Sequence, residues 1–237
     1  MNILASNDDG YQCEGIIRLV SALRAEGHRV LMVSPDRERS GASHSMSLAA
    51  GYIDIKEIAA DTWICGGTPV DCIIAVLSGG IKFRADAVVS GINAGCNLGT
   101  DIIFSGTAAA AREGALQGIP SIAFSLAGSP EYFWDAAALW SALHFDKLIK
   151  FWNEEIFINV NIPNTKKLPD EPLITFPSRR HYIDDIDIKR LETGWNRINF
   201  NNMRPETAHE SGSDHDAVSQ NAVSVSLVYI HPVVKAL

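Results

Sequence analysis

The sequence lacks any apolar run of about 20 residues, the length that a membrane-spanning helix needs. Its first residues contain neither a basic segment nor a long apolar one, so no secretory signal is expected. Only 4 cysteines occur, and no two are spaced as Cys-x-x-Cys, which argues against a structural zinc site. We therefore expect a cytoplasmic protein without a membrane segment, whose reduced thiols lie in or near the core.

Positive charge is scarce as well. The chain has 20 Lys and Arg against 28 Asp and Glu, which gives a formal net charge of -8. Proteins that bind a nucleic-acid backbone are usually basic on the binding face, and no Lys/Arg run is present here, so a nucleic-acid polymer is not an expected partner. A small anionic substrate is compatible with this charge if a metal ion and backbone N–H groups supply the positive field locally.

Several signatures of competing activities are missing. There is no Gly-x-x-x-x-Gly-Lys-[Ser/Thr] motif, which excludes a P-loop enzyme, and no Gly-x-Ser-x-Gly elbow. No cysteine is followed by arginine at the spacing of a Cys-x-x-x-x-x-Arg phosphatase loop. The glycines at Gly91, Gly95 and Gly99 do not fit Gly-x-Gly-x-x-Gly, which argues against a dinucleotide-dependent oxidoreductase.

The first two thirds of the 237 residues alternate strand-like and helix-like segments. Residues 2–6 read as a buried strand, apolar residues recur at helical spacing from Gly15 to Glu26, and His28 to Val33 reads as the next strand. Thr68 fits the N-cap of a further helix with Pro69 at its first position. Such a βαβ rhythm predicts an α/β fold with a Rossmann-like, mostly parallel sheet flanked by helices.

The remaining elements follow from the same patterns. Strands are predicted at Tyr52–Ile55, Thr62–Cys65, Asp86–Ser90, Ser121–Leu126 and Ile156–Val160, and helices from Ser105–Thr107 to about Gln117 and over 131–153. After residue 163 short strands with polar joints replace this rhythm, at Leu173–Phe176, Arg180–Ile188 and Ala222–Ile230. We therefore predict a catalytic core over 1–163 and a β-rich extension with hairpins over 164–237.

Polar clusters follow the strand ends, where open parallel sheets bind their ligands. Asp8 and Asp9 come directly after the first strand, and two adjacent carboxylates repel unless a cation or donors offset them. A hard metal such as Mg²⁺ or Mn²⁺ prefers such oxygen ligands, although a solvated turn would also explain the pair. Ser40 and Asn93 offer neutral oxygen atoms that suit the same shell, or local turn hydrogen bonds.

Two further features indicate an anion. Ser105, Gly106 and Thr107 precede an Ala-rich helix, whose free first-turn N–H groups favour a phosphate, although Thr107 would also serve as a plain N-cap. His44 lies inside the polar loop over 34–47, where it would contact the phosphate or protonate the leaving oxygen, or simply be exposed.

These clusters together resemble one family, the SurE nucleotidases, also called survival protein E. The resemblance rests on segments that occur in order along residues 1–163, and it is looser in the last third, chiefly at Ser213-Asp214 with Ala217-Val218. The matching segments are Ser6-Asn7-Asp8-Asp9-Gly10, Ser34-Pro35-Asp36 with Ser40-Gly41, Gly67-Thr68-Pro69-Val70-Asp71-Cys72, Val89-Ser90-Gly91-Ile92-Asn93-Ala94-Gly95 with Asn97-Leu98-Gly99, Ser105-Gly106-Thr107 with Glu113-Gly114, and Asn159-Val160-Asn161-Ile162-Pro163.

The resemblance implies a divalent-metal-dependent phosphatase that acts on nucleoside 5′- and 3′-monophosphates, with short polyphosphate as a further substrate. It implies one Mg²⁺ or Mn²⁺ per subunit, and a homodimer or homotetramer built by the C-terminal part. The ligand set so implied is Asp8, Asp9, Ser40 and Asn93 for the metal, and Asn97, Ser105, Gly106 and Thr107 for the phosphate.

Two questions stay open at this level. Asp8 or Asp9 would orient the attacking water as a base, with a covalent aspartyl-phosphate as the alternative. The family's usual Ser-Val-Thr-Pro-Leu is replaced here by Ser224-Val225-Ser226-Leu227-Val228, without the proline. The oligomeric state therefore stays an open question. A non-catalytic nucleotide sensor on the same scaffold is the alternative function.

Overall fold

The computed structural model describes residues 1–128, 131–183, 185–201 and 204–232. Its strands are β1 Asn2–Ser6, β2 Arg29–Pro35, β3 Ile55–Ala59, β4 Thr62–Cys65, β5 Ala87–Ala94, β6 Ser121–Leu126, β7 Ile156–Ile162, β8 Leu173–Thr175, β9 Arg180–Ile183, β10 Ile186–Arg190, β11 Asn196–Phe200, β12 Arg204–Thr207 and β13 Ser224–Tyr229. Its α-helices are α1 Glu14–Ala25, α2 Pro69–Leu77, α3 Asp101–Phe104, α4 Gly106–Leu116, α5 Trp134–Leu148 and α6 Asp214–Ser219, and a 3₁₀ turn at Ile149–Phe151 follows α5.

A nine-stranded sheet in the order β3-β4-β2-β1-β5-β6-β7-β13-β8 organises the molecule. Strands β4, β2, β1, β5, β6 and β7 pair in parallel, while β3 and β13 run antiparallel to their neighbours β4 and β7. The predicted Rossmann-like, mostly parallel sheet is thereby confirmed. The carboxyl ends of the parallel strands meet at one edge, and the polar segments that follow them are brought together there.

Helices cover both faces of this sheet because each of them has an apolar side to bury. Helix α1 buries Ile16, Leu19 and Leu23 in a core that it shares with α5, while α2 and α4 contact each other over the opposite face. Each such side chain contributes roughly 1.5–3 kcal/mol when it is fully buried. Gly15 permits this close approach, because a Cβ at this position would lie 2.0 Å from the carbonyl oxygen of Ile92.

The start of α2 is determined by residues that are close together in the sequence. Thr68 is the N-cap and accepts a hydrogen bond from the Asp71 N–H at 3.2 Å, while the Asp71 carboxylate accepts from the Thr68 N–H at 2.8 Å. This is a reciprocal capping box with Pro69 in the first turn. The predicted helix start is confirmed.

Other boundaries differ from the prediction. The strand predicted at Tyr52–Ile55 begins only at Ile55, and this edge strand is so exposed that it has little apolar pattern to detect. The strand predicted to end at Ser90 continues to Ala94. The segment predicted as one strand at Arg180–Ile188 forms β9 and β10, with residue 184 outside the described residues.

The C-terminal part is rich in β-structure, as predicted. Strands β13 and β8 extend the main sheet, and two antiparallel pairs, β9 with β12 and β10 with β11, form separate ladders. The predicted extension reaches residue 237, and its residues 233–237 lie outside the described part. Within the described ranges, no helix is long and apolar enough to cross a bilayer.

Candidate active site

A cavity of 460 Å³ opens at the carboxyl ends of the central parallel strands. Strands β1 and β5 pair directly, so the residues that follow or end them converge there. Its wall brings together six of the predicted site residues, namely Asp8, Asp9, Ser40, Asn93, Asn97 and Ser105. Other residues of the wall include Asp101, Phe104 and Tyr182.

Asp8 is a buried residue of this site, and its side chain packs against the first turn of α4. The Thr107 hydroxyl donates a short hydrogen bond to Asp8 Oδ1. Burial raises the pKa of Asp8, and hydrogen bonds from Thr107 and from the backbone around it partly offset this effect. A Cβ at Gly106 would lie 2.8 Å from Asp8 Cβ and 2.9 Å from Asp8 Oδ2, so only glycine leaves room for the carboxylate.

Asp9 is only partly buried and lies beside Asp8 at the cavity. Its Oδ2 accepts a hydrogen bond from the Ala94 N–H at 3.2 Å, which ties the end of β1 to the end of β5. Burial, and secondly the charge of Asp8, raise the pKa of Asp9 to about 6. Two carboxylates in this position therefore create a site that favours a cation.

The two neutral oxygen donors are fixed by their own local contacts. The Asn93 amide nitrogen donates to the Gly95 carbonyl at 2.7 Å, and its Oδ1 lies 3.4 Å from Thr107 Oγ1, on the side of Asp8. Ser40 is exposed, and its hydroxyl donates to Glu38 at 2.8 Å. The Arg39 N–H donates to the Asp8 carbonyl at 2.7 Å, which holds the polar loop against the end of β1.

The predicted phosphate segment forms the N-terminus of α4. Ser105, not Thr107, is the N-cap: its hydroxyl oxygen accepts from the Ala108 N–H at 2.9 Å. The plain-cap interpretation of Thr107 is thus wrong, because its hydroxyl is directed to Asp8 instead. Ser105, Gly106 and Thr107 are all buried at the positive end of the helix dipole.

Asn97 is held in place by a pair of asparagines on β7. Its N–H donates to Asn161 Oδ1 at 2.8 Å, and its carbonyl accepts from Asn159 Nδ2 at 2.9 Å and from Asn161 Nδ2 at 3.1 Å. The Asn97 side chain donates to Ser125 Oγ at 2.8 Å. Our sequence reasoning assigned no role to Asn159 and Asn161, although two asparagines in a buried strand were the available signal.

Side chains of the C-terminal extension contact the segment after β5 and helix α3, next to the site. Asp214 is fully buried and accepts from the Gly99 N–H at 2.7 Å and the Ser178 N–H at 2.9 Å. Asp101 accepts short hydrogen bonds from Arg180 and from the Tyr182 hydroxyl. The Gly99–Asp214 and Arg180–Asp101 partners lie 115 and 79 residues apart in sequence, so no local pattern could have indicated these contacts.

His44 does not lie in the cavity wall. Its Nε2 is 3.0 Å from Glu113 Oε2, and this contact ties the polar loop to the middle of α4. The His44 contact is the main cause that lowers the pKa of Glu113. The structure therefore places this predicted phosphate contact beside a carboxylate rather than with the other site residues.

The cavity carries negative charge from Asp8 and Asp9, and its described wall contains no lysine or arginine. The third aspartate of the wall, Asp101, is paired with Arg180. Among the described ranges no three His, Cys, Asp or Glu side chains are grouped to hold a metal ion. Two carboxylates with an amide and a hydroxyl oxygen are a donor set for a hard divalent cation that retains several waters. The residues present therefore fit the implied Mg²⁺ or Mn²⁺.

The fold and this site define the class: a Rossmann-like α/β protein with an acidic pocket that faces a helix N-terminus. The family model described as survival protein SurE matches residues 3–184. The chain therefore belongs to the SurE family.

Individual relatives agree with this assignment. The chain is 39% identical over 236 residues to a protein of Geobacter sulfurreducens named 5′-nucleotidase SurE, with 97% of this chain and 88% of that protein covered. It is 44% identical over 168 residues to a Treponema pallidum protein of the same name, with 68% and 89% covered. The crystal structure of the SurE protein from Aquifex aeolicus superposes with a TM-score of 0.82 at 32% identity, and covers 98% of this chain and 95% of that one.

Proposed function

We propose that this protein is a divalent-metal-dependent phosphomonoesterase that hydrolyses nucleoside 5′-monophosphates, and also 3′-monophosphates, to nucleoside and phosphate. The observation that carries this proposal is a cavity in which Asp8 and Asp9 lie side by side, with no lysine or arginine in the described wall, next to the N-terminus of α4. An anionic substrate enters such a cavity only with a cation that offsets the carboxylates. The relatives that share most of its length are named 5′-nucleotidase, which favours the enzyme over a non-catalytic sensor.

Four residues would hold the metal: Asp8, Asp9, Ser40 and Asn93. Bound there, a divalent cation neutralises phosphate charge and lowers the pKa of water. The Asp8 side chain is held by the hydrogen bond from Thr107 and fits against the backbone of Gly106, which has no Cβ. The Asn93 side chain is held by the hydrogen bond from its amide nitrogen to the Gly95 carbonyl. Contacts among the chain's own residues would thus support the proposed metal shell.

The phosphate would lie at the first turn of α4. Ser105, Gly106 and Thr107 lie at the positive end of the helix dipole, where the Ser105 N–H donates to the Asp101 carbonyl at 3.0 Å and the Gly106 and Thr107 backbone groups hydrogen-bond to Asp8. The helix dipole, together with the metal, would therefore supply the positive field for the phosphate. Asn97 is held from β7 and would add a side-chain donor. Asp9, the more exposed of the two carboxylates, would orient the attacking water, and an aspartyl-phosphate is the competing route.

A phosphate-release assay tests the function directly. We expect release from 5′-AMP and 3′-AMP with added Mg²⁺ or Mn²⁺, and a decrease of about 10²-fold in EDTA because metal ions supply several kcal/mol of transition-state stabilisation. Short polyphosphate belongs in the same panel, since the same metal and helix N-terminus suit its terminal phosphate. Tight nucleotide binding without release under any metal would contradict the proposal and favour the sensor.

We also propose that 1–163 form the catalytic core and that 164–237 form an extension through which copies of the chain associate. Strands β10 and β11 place four apolar side chains on one face of a two-stranded ladder, as the pairs Ile186–Phe200 and Ile188–Ile198. These four side chains are 45% to 66% exposed. Because an isolated two-stranded ladder is only marginally stable in water, a second copy that covers this face would stabilise it.

Charged side chains introduced on this apolar face of β10 and β11 should therefore dissociate the proposed oligomer. We expect a double substitution, Ile188→Asp with Ile198→Asp, to convert a dimer or tetramer to monomers in light scattering after size exclusion. Lys189→Ser, on the opposite face of the ladder, is the matched control and should keep the wild-type mass. A wild-type protein that is already monomeric would refute the proposed interface.

We further propose a cytoplasmic location. All four cysteines are free, which suits a compartment that keeps thiols reduced.

A further inference from the structure

Two aromatic side chains, Phe104 and Tyr182, lie in the wall of the cavity. Phe104 ends α3 and directly precedes Ser105, the N-cap at the proposed phosphate position. Tyr182 belongs to β9, in the C-terminal extension. We propose that these two rings form the nucleoside wall of the site, against which the base of the substrate stacks. This inference rests on the proposed nucleotidase function.

Phe104 is a large apolar ring on a fixed backbone. Phe104 is 52% exposed and lines the cavity. The Ser43 N–H donates to the Phe104 carbonyl at 3.0 Å, and the Ser43 hydroxyl donates to the Ile103 carbonyl at 2.6 Å. A base that covers this ring removes apolar surface from water without first having to order the chain beneath it.

Tyr182 is held at the tip of its side chain, through its hydroxyl, whereas Phe104 is held through its backbone. This hydroxyl donates to Asp101, and Arg180 donates to the second oxygen of the same carboxylate. Burial and the contact with Asp101 raise the pKa of Tyr182 to about 12, so the phenol keeps its proton at neutral pH. With the hydroxyl engaged, the ring is the part of Tyr182 that remains for a ligand.

The size and chemistry of the cavity suit a nucleoside monophosphate. A volume of 460 Å³ lies within the usual range for small-molecule sites. Aromatic rings next to a phosphate position bind bases through their π-faces, and such stacking tolerates different bases. The wall should therefore accept all common bases and favour purines, because they offer the larger stacking area.

The test compares 5′-AMP with ribose 5-phosphate, which has the same phosphate and sugar but no base. We expect Phe104→Ala and Tyr182→Ala each to raise KM for 5′-AMP about tenfold, with a smaller change in kcat. The kcat/KM ratio of 5′-AMP to ribose 5-phosphate should decrease by about the same factor. Tyr182→Phe keeps the ring and should restore most of the preference for 5′-AMP.

Matched substitutions of aromatic residues elsewhere provide the control. Phe151→Ala and Tyr229→Ala remove side chains that are 41% and 57% exposed outside the cavity, and should leave the ratio unchanged. An unchanged ratio in both cavity variants, or a loss in Tyr182→Phe as large as in Tyr182→Ala, would overturn the stacking role. A wild-type protein that releases phosphate from neither substrate would instead overturn the proposed function.

Discussion

Replacement of Asp8 by asparagine is expected to reduce kcat for 5′-AMP by about 10³-fold or more, which corresponds to about 4 kcal/mol of transition-state stabilisation. The reason is that Asp8 is the most buried of the proposed metal ligands and touches the proposed phosphate site through Thr107. Asparagine keeps the shape and can still accept from Thr107, but it removes the charge that would hold the cation. Steady-state phosphate release at saturating Mn²⁺ measures this loss.

Thermal unfolding separates this effect from a loss of structure. A buried carboxylate without a cation costs free energy, so Asp8→Asn in EDTA should be at least as stable as the wild type. The wild type should gain stability with added Mn²⁺, by about 2.7 kcal/mol at a concentration of 100 times Kd, and Asp8→Asn should not. Asp146→Asn, on the exposed side of α5, should behave as the wild type. Substantial turnover in Asp8→Asn would contradict the assigned role.

The sequence predicted the half of the fold that is determined locally. Strands β1 and β6 and the start of α2 were found because a buried parallel strand is a continuous apolar run and because Thr68 and Asp71 cap their own helix. The exposed edge strand β3 has no such pattern and was misplaced by three residues at its start. The short helices α3 and α6 are too brief to show a helical period.

The candidate site likewise contains residues that local sequence could place and residues that it could not. Asp8, Asp9, Asn93 and Asn97 could be placed together because each follows or ends a parallel strand, and such strands end at one edge of the sheet. The contacts of Tyr182 with Asp101 and of Asp214 with the Gly99 N–H could not be predicted, since the partners lie more than 80 residues apart in the sequence and the resemblance at Ser213-Asp214 carried no role. The position of the His44 side chain could not be predicted, because its loop reaches the site while the side chain itself contacts Glu113.

The replacement Gly106→Ala should be nearly as damaging as the loss of Asp8, although it adds only one methyl group. We expect a decrease in kcat/KM for 5′-AMP of between about 10² and 10³-fold, because a shift of about 1 Å at a reacting centre already costs about 10²-fold. The new Cβ would meet Asp8 Cβ at 2.8 Å and Pro69 Cγ at 3.1 Å, so the carboxylate or the first turn of α4 must move. Either movement separates the proposed metal ligands from the proposed phosphate site.

The matched control is Gly128→Ala, where the nearest atom to the added Cβ is the Tyr132 hydroxyl oxygen at 3.8 Å and activity should be unchanged. The Mn²⁺-induced gain in thermal stability distinguishes the two possible movements in Gly106→Ala. If Asp8 is displaced, this gain disappears together with activity, whereas a shifted helix start leaves the gain in place and raises KM for the nucleotide. Wild-type activity in Gly106→Ala would show that Asp8 and α4 need not be in contact during catalysis, and would separate the proposed metal site from the proposed phosphate site.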